Sequence, residues 1–257
     1  MKLRFLGTGT SFGVPVIGCP CRVCTSDDPR DRRTRHAVVV EKEERRLLVD
    51  TPPELRLQLV RAGIAHIDGV FLSHEHADHT HGLDDLRIFS LRSGRPLPFH
   101  VAEEFVDDVT ARFRYIWGGA RHQPGSAVPD LDLTPFRDRE TIRPAGFDIT
   151  PIAFPHGVYR SYGFRTGGLG VIIDGKSVPA DAEELLSDLD VLVVNALWFG
   201  NPHPGHFSIE EAVETSRRLR AARTYITHVT HRHSHVEIES RLPDGVSVAY
   251  DGLEVTV

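Results

Sequence analysis

Val70-Phe71-Leu72-Ser73-His74-Glu75-His76-Ala77-Asp78-His79 is a short apolar run that empties into four potential metal ligands within six residues. Val70–Leu72 has the composition of a buried strand, so the cluster falls on the loop at a strand's end, where functional side chains concentrate. His74 and His76, two apart, point to one side of an extended segment; Asp78 and His79 follow on the turn and face a second point nearby. Imidazole and carboxylate together suit zinc, manganese or iron. Outward from this stretch, eleven of the 15 histidines fall in four places, 74–81, 156, 203–206 and 228–235. All three cysteines sit in Cys19-Pro20-Cys21-Arg22-Val23-Cys24. An odd, crowded set of thiols is no disulfide framework and reads as a further metal site.

The 257 residues are 40% hydrophobic and 26% charged, which excludes a disordered chain and a disulfide-stapled miniprotein. No run approaches the roughly 20 apolar residues of a membrane span. The start, Met1-Lys2-Leu3-Arg4-Phe5, lacks a signal peptide's apolar stretch, so a cytoplasmic protein without a membrane partner is expected. A net charge of −6 disfavours nucleic acid as a partner. Strand candidates are Leu3–Leu6, Ala37–Val40, Leu47–Val49, Val70–Leu72, Phe147–Ala153, Val171–Ile173, Val191–Val194, Tyr225–Thr227 and Val246–Tyr250. Helical patterns lie at roughly 53–62, 80–92, 102–116, 180–188, 208–222 and 234–240, with Pro53 and Glu54 in a first turn and Ser208 and Glu211 forming a capping box. Gly- and Pro-rich 117–130 reads as a loop rather than a linker. This uneven order suits an α/β chain with two mixed sheets packed together and helices outside, in a single domain over 1–257.

His-x-His-x-Asp-His after a strand resembles the signature of the metallo-β-lactamase superfamily. That resemblance implies an αβ/βα four-layer sandwich, two sheets face to face, with a two-metal site on one edge. It also implies the remaining ligands. One divalent ion, zinc or manganese, takes His74, His76, His156 and Asp174; the other takes Asp78, His79, Asp174 and His228. Asp50, closing Leu47-Leu48-Val49, resembles the superfamily's buried strand-end aspartate and is expected to support a ligand. His36, His66, His81, His100, His122, His233 and His235 are read as surface or locally hydrogen-bonded residues.

Cys19, Cys21 and Cys24 need a fourth ligand to close a structural zinc site. His231, three residues beyond His228, is the candidate, and such a zinc pins the N-terminal loop to the last metal-binding strand. The stretch Leu6-Gly7-Thr8-Gly9-Thr10-Ser11-Phe12-Gly13-Val14-Pro15, the cysteines and the late His-x-x-His narrow the resemblance to the cyclic phosphodiesterase family of the carbon–phosphorus lyase pathway, which opens phosphoribosyl 1,2-cyclic phosphate. Gly7, Gly9 and Gly13 read as a tight backbone turn, not a dinucleotide fingerprint. The chain departs from that family at Asn195-Ala196-Leu197-Trp198, where an acidic-Cys-Ser-His stretch is usual.

The reaction expected is hydrolysis of a small or cyclic phosphodiester by water activated between two metals. Asp78 and His206 are the catalytic candidates, His206 as a loop residue that protonates the leaving oxygen near neutral pH and His203 as a weaker candidate for that role. A small phosphodiester is the expected partner, and a homodimer is open. Two other readings stay open: a nuclease resembling the transfer-RNA 3′-processing enzymes, and a non-catalytic carrier resembling pyrroloquinoline quinone biosynthesis protein B.

Overall fold

The structure, a computed structural model, describes residues 1–118 and 127–257. His122 and the middle of the 117–130 loop lie outside the described residues. Two mixed sheets carry the chain. The first is seven-stranded and contains β1 (Lys2–Gly7), β2 (Ala37–Lys42), β3 (Arg45–Val49), β4 (Gly69–Phe71), β5 (Leu97–Ala102), β6 (Leu131–Phe136) and β13 (Glu254–Thr256), in the order β13-β1-β2-β3-β4-β5-β6. The second is six-stranded, in the order β12-β11-β10-β9-β8-β7: β7 (Thr150–His156), β8 (Tyr159–Thr166), β9 (Leu169–Ile172), β10 (Val191–Asn195), β11 (Thr224–Thr227) and β12 (Val246–Val248). β3 to β6 run parallel, as do β9 to β12, and antiparallel strands complete each sheet.

The inner faces share one core. Phe71 of β4 stacks on Phe136 of β6 at 5.0 Å and meets Phe164 of β8, in the other sheet, edge-on at 5.1 Å. The outer face of the second sheet packs Ile152, Ile172, Leu192 and Val194 against the apolar side of a helix over Ile209–Arg218. That helix begins at the Ser208/Glu211 capping box expected from sequence. Both faces of the parallel strands are therefore covered, which is why they read as continuous apolar runs.

Several elements differ from the sequence reading. β5 and β6 carry Pro98 and Pro135, which hide them. Pro98 precedes the point where β5 begins to pair with β4, and β6 is the sheet's edge, so neither proline removes a needed N–H. β8 mixes Arg160, Ser161, Gly163 and Arg165 with its apolar residues and follows a tight turn from β7, with His156 paired to Tyr159. The pattern at 80–92 is not one helix but short helices at Ala77–Thr80 and Arg87–Ser93 around a 3-10 turn at Leu83–Leu86. Gly82 lies between them, where a Cβ would meet the carbonyl oxygen of Pro52 at 2.0 Å. Pro53 and Glu54 form a turn ahead of Leu55–Arg61 rather than its first turn. At 180–188 there are only two 3-10 turns. No helix among the described residues is long and apolar enough to cross a membrane.

The N-terminal loop is tied to the last strands of the chain. Gly9 bridges both Arg35 and Val229, and a Cβ there would come within 2.6 Å of the Arg33 carbonyl oxygen. The buried guanidinium of Arg33 pairs with Asp31 at 3.0 Å and donates to the Thr230 carbonyl at 2.9 Å. Buried Asp251 accepts from the backbone N–H and hydroxyl of Thr8 (2.9 and 2.8 Å) and of Thr34 (2.8 and 2.6 Å). Asp251→Ala leaves four donors without their acceptor and is expected to cost about 3 kcal/mol in urea unfolding. An unchanged midpoint would remove this role.

Candidate metal centre

All seven candidate ligands of the paired centre stand at the carboxyl ends of strands, the edge where open α/β sheets place their sites. His74 follows β4, and His76, Asp78 and His79 lead into and occupy the Ala77–Thr80 turn of helix. His156 ends β7, Asp174 follows β9 and His228 follows β11. The chain turns sharply at Asp50, Asp174 and His228, with φ of 66°, 48° and 61°. Asp and His tolerate this left-handed region better than most residues, and outliers of this kind cluster at functional sites.

Two groups result. The ligating atoms of His74, His76 and His156 lie within 4.8 Å of one another, and so do those of Asp78, His79, Asp174 and His228. Asp174 stands between them. Its Oδ2 is 3.6 Å from His74 Nε2, 3.2 Å from His79 Nε2 and 4.0 Å from His156 Nε2, while Oδ1 is 3.1 Å from His228 Nε2. Ligands about 2.0–2.2 Å from a tetrahedral ion are separated by about 3.3–3.6 Å, so the spacings suit ions of that kind.

Hydrogen bonding decides which nitrogens face inward. His79 donates from Nδ1 to Asp50 at 2.7 Å, and His156 donates from Nδ1 to the Gly205 carbonyl at 2.8 Å. Ser73 Oγ donates to Asp50 at 2.9 Å and accepts from His74 Nδ1 at 2.9 Å. Each ring is thereby locked with Nε2 toward the centre, the usual support for a metal-binding histidine. Among the described residues, His74 Nε2, His79 Nε2, His228 Nε2 and Asp174 Oδ1 are buried without any hydrogen-bond partner. Orphaned atoms of this kind cost free energy unless something electropositive meets them, so the donor set fits two cations.

Local charge divides the rings of the site. Burial pushes His74 well below its ordinary value and His228 down to about 4, leaving both neutral, as ligands must be. His79 is held well above its ordinary value: burial opposes this, but the Asp78, Asp50 and Asp174 carboxylates outweigh it. Burial would raise Asp174, yet the neighbouring His228, His79 and His206 rings hold it well below the carboxylate range.

The structure brings the three cysteines together around His231. Cys19, Cys21 and Cys24 each place Sγ 3.4 Å from Nδ1 of His231. The edge of a tetrahedral zinc site with three sulfurs and one nitrogen is about 3.6 Å. The Cys24 backbone N–H and His231 draw the Cys21 thiol down to about 6, while burial pushes Cys24 up to about 11.

Not every histidine follows the sequence reading. His36, His100 and His235 are buried. His36 lies behind Asp50, 3.8 Å from its carboxylate, with neither ring nitrogen hydrogen-bonded among the described residues. His206 lies in the loop before the Ile209–Arg218 helix, packed among the candidate ligands: its ring stacks on His228 at 4.9 Å and meets His156 edge-on at 4.7 Å. Burial pushes it down to about 3, so at neutral pH it is an uncharged ring rather than the imidazolium expected from sequence. His203 accepts from the Gly205 N–H at 3.1 Å and stands at the rim. Two supporting residues carried no spacing signal at all. Ser73 is one; the other is Asn195, whose side chain touches both Gly175 (2.8 Å) and His206 (3.2 Å). The paired groups open into a cavity of about 750 Å³ bordered by Ser11, Val158, Tyr159, His203 and His206.

A family profile described as the beta-lactamase superfamily domain matches residues 45–229. Among solved structures, the chain is similar to a diphosphatase of the PhnP family, 36% identical with a TM-score of 0.89, covering 99% of this chain and 96% of that one. Zinc-bound PqqB from Methylobacterium extorquens shares the fold, with 21% identity, a TM-score of 0.81 and full coverage of both chains (100% each). Among curated proteins it is 33% identical over 262 residues to an octanoyltransferase of Porphyromonas gingivalis, covering 100% of this chain. The chain spans only 52% of that protein, 40% of a coenzyme PQQ synthesis protein B from Methylorubrum populi and 49% of a ribonuclease Z from Bradyrhizobium sp..

Proposed function

The chain belongs to the β-lactamase superfamily, and from that premise we propose that it is a metal-dependent hydrolase of small or cyclic phosphodiesters, working as a single domain over 1–257. The observation that carries this reading is the double set of ligand atoms around Asp174, with four of those atoms buried and unpaired among the described residues. The 36% identical diphosphatase supports phosphoester chemistry in particular. Two divalent ions held there, zinc or manganese, would lower the pKa of water and draw charge from the phosphoryl oxygens. His74, His76 and His156 hold one and Asp78, His79 and His228 the other, with Asp174 serving both. Asp50 and Ser73 keep the rings aligned. Cys19, Cys21, Cys24 and His231 hold a third, structural zinc.

His206 is the group placed to donate a hydrogen bond to the leaving oxygen. His206→Ala should keep all three metals and lose roughly 10²–10³ in rate on a ribonucleoside cyclic phosphate, whose alkoxide leaves poorly, and less on bis(4-nitrophenyl) phosphate. Equal losses on both would assign His206 to phosphate binding instead. The function itself is tested by screening the metal-loaded protein against phosphoribosyl cyclic phosphate, cyclic nucleotides, a diphosphate ester, a precursor transfer RNA, a lactam and a thioester. Turnover confined to the lactam, the thioester or the RNA, or no turnover at all, overturns the proposal.

A further inference from the structure

We propose that Asn195 is a positioning residue that fixes His206 in the tautomer presenting Nε2–H to the cavity. The inference rests on the phosphodiesterase reading for what that hydrogen does, but not for where it sits.

Asn195 ends β10 and is completely buried. Its amide cannot be flipped. The backbone N–H of Gly175 can only donate, and it points at Asn195 from 2.8 Å, so the atom it meets is Oδ1. The amide nitrogen is then turned to His206 Nδ1 at 3.2 Å. An amide nitrogen can only donate, so His206 Nδ1 accepts and carries no proton. In a neutral imidazole the proton therefore lies on Nε2. Among the described residues His206 Nε2 has no hydrogen-bond partner, yet it is not among the enclosed, unpaired atoms; it opens on the cavity that His206 borders. Gly175 directly follows Asp174, so one amide links the turn that places the shared carboxylate to the ring that donates.

An acidic side chain here would do the opposite. A carboxylate only accepts, so the same geometry would demand a proton on Nδ1 and, in a neutral ring, leave Nε2 as a lone pair facing the cavity. The position thus decides whether His206 offers a donor or an acceptor to the substrate's oxygens.

The direct test is a two-bond ¹H–¹⁵N correlation spectrum of zinc-loaded, ¹⁵N-histidine protein, with the His206 signals identified by their loss in His206→Gln. The result expected is a neutral ring protonated at Nε2 in the wild type, inverted to Nδ1 in Asn195→Asp. A wild-type ring protonated at Nδ1 overturns the proposal, and this measurement stands even if the variant does not fold. On a ribonucleoside cyclic phosphate, kcat of Asn195→Asp should fall as far as that of His206→Ala, with KM little changed. The double variant should be no slower than His206→Ala alone. Fully additive losses overturn the link. The spectrum reads the tautomer whether or not any phosphodiester is cleaved, so a failure of the assigned function is distinguishable from a failure of this inference.

Discussion

Asp174→Ala should take the metal content from three ions per chain to one, leaving the structural zinc, and should lower phosphodiester hydrolysis by on the order of 10³–10⁵. The reason is positional. Both carboxylate oxygens are committed: Oδ2 lies between His74 and His79, and Oδ1 faces His228. Losing either ion alone would leave half a site; losing this carboxylate removes a ligand from both. Asp174 also has φ of 48°, where alanine is strained by roughly 1–2 kcal/mol. Asp174→Asn is therefore the companion variant, because asparagine tolerates that backbone. If metal loss were only a consequence of strain, the asparagine variant would retain both ions. Mass spectrometry of the native protein counts them, and two ions remaining in the paired centre of the alanine variant would end the shared-ligand assignment.

Cys21→Ser should remove one zinc and lower the melting temperature by roughly 10 °C, corresponding to about 3–5 kcal/mol for a chain of this size. Serine lacks the thiolate, and three remaining ligands hold zinc far less tightly. The full binding energy is not expected to be lost, because Gly9, Arg33 and Asp251 still tie the N-terminal loop in place. The paired centre should still fill, with weakened activity, since Val229 beside His228 bonds to Thr8 of the same loop. A metal count unchanged by the substitution would refute the structural-zinc site.

Much of the site was legible because metal chemistry writes itself into residue type and local order. His74, His76, Asp78 and His79 occupy six residues after a strand, and a strand end exposes such a cluster wherever it lies in a fold. The resemblance that cluster carried led to His156, Asp174 and His228, and the structure brings all three to it. The capping box at Ser208 was legible for the same local reason. The strands β5 and β6 were not, because Pro98 and Pro135 argue against a strand until it is known that Pro98 precedes the pairing with β4 and that β6 is the sheet's edge. Nor was the break at Gly82, where a side chain would meet the Pro52 carbonyl from thirty residues away.

What the sequence determined by itself was therefore the His74–His79 cluster, the crowded cysteines and the two mixed sheets, since these follow from short-range pattern: apolar strand runs, strand-end turns and donor atoms close together in the chain; His156, Asp174 and His228 came from the resemblance. Only the tertiary structure decided the protonation and support of that site. His36 became a buried ring behind Asp50, His206 an enclosed neutral imidazole, and Asn195 the amide that orients it. These are properties of dielectric and hydrogen-bond partnership, and they depend on which atoms, distant in the chain, packing brings within about 3 Å.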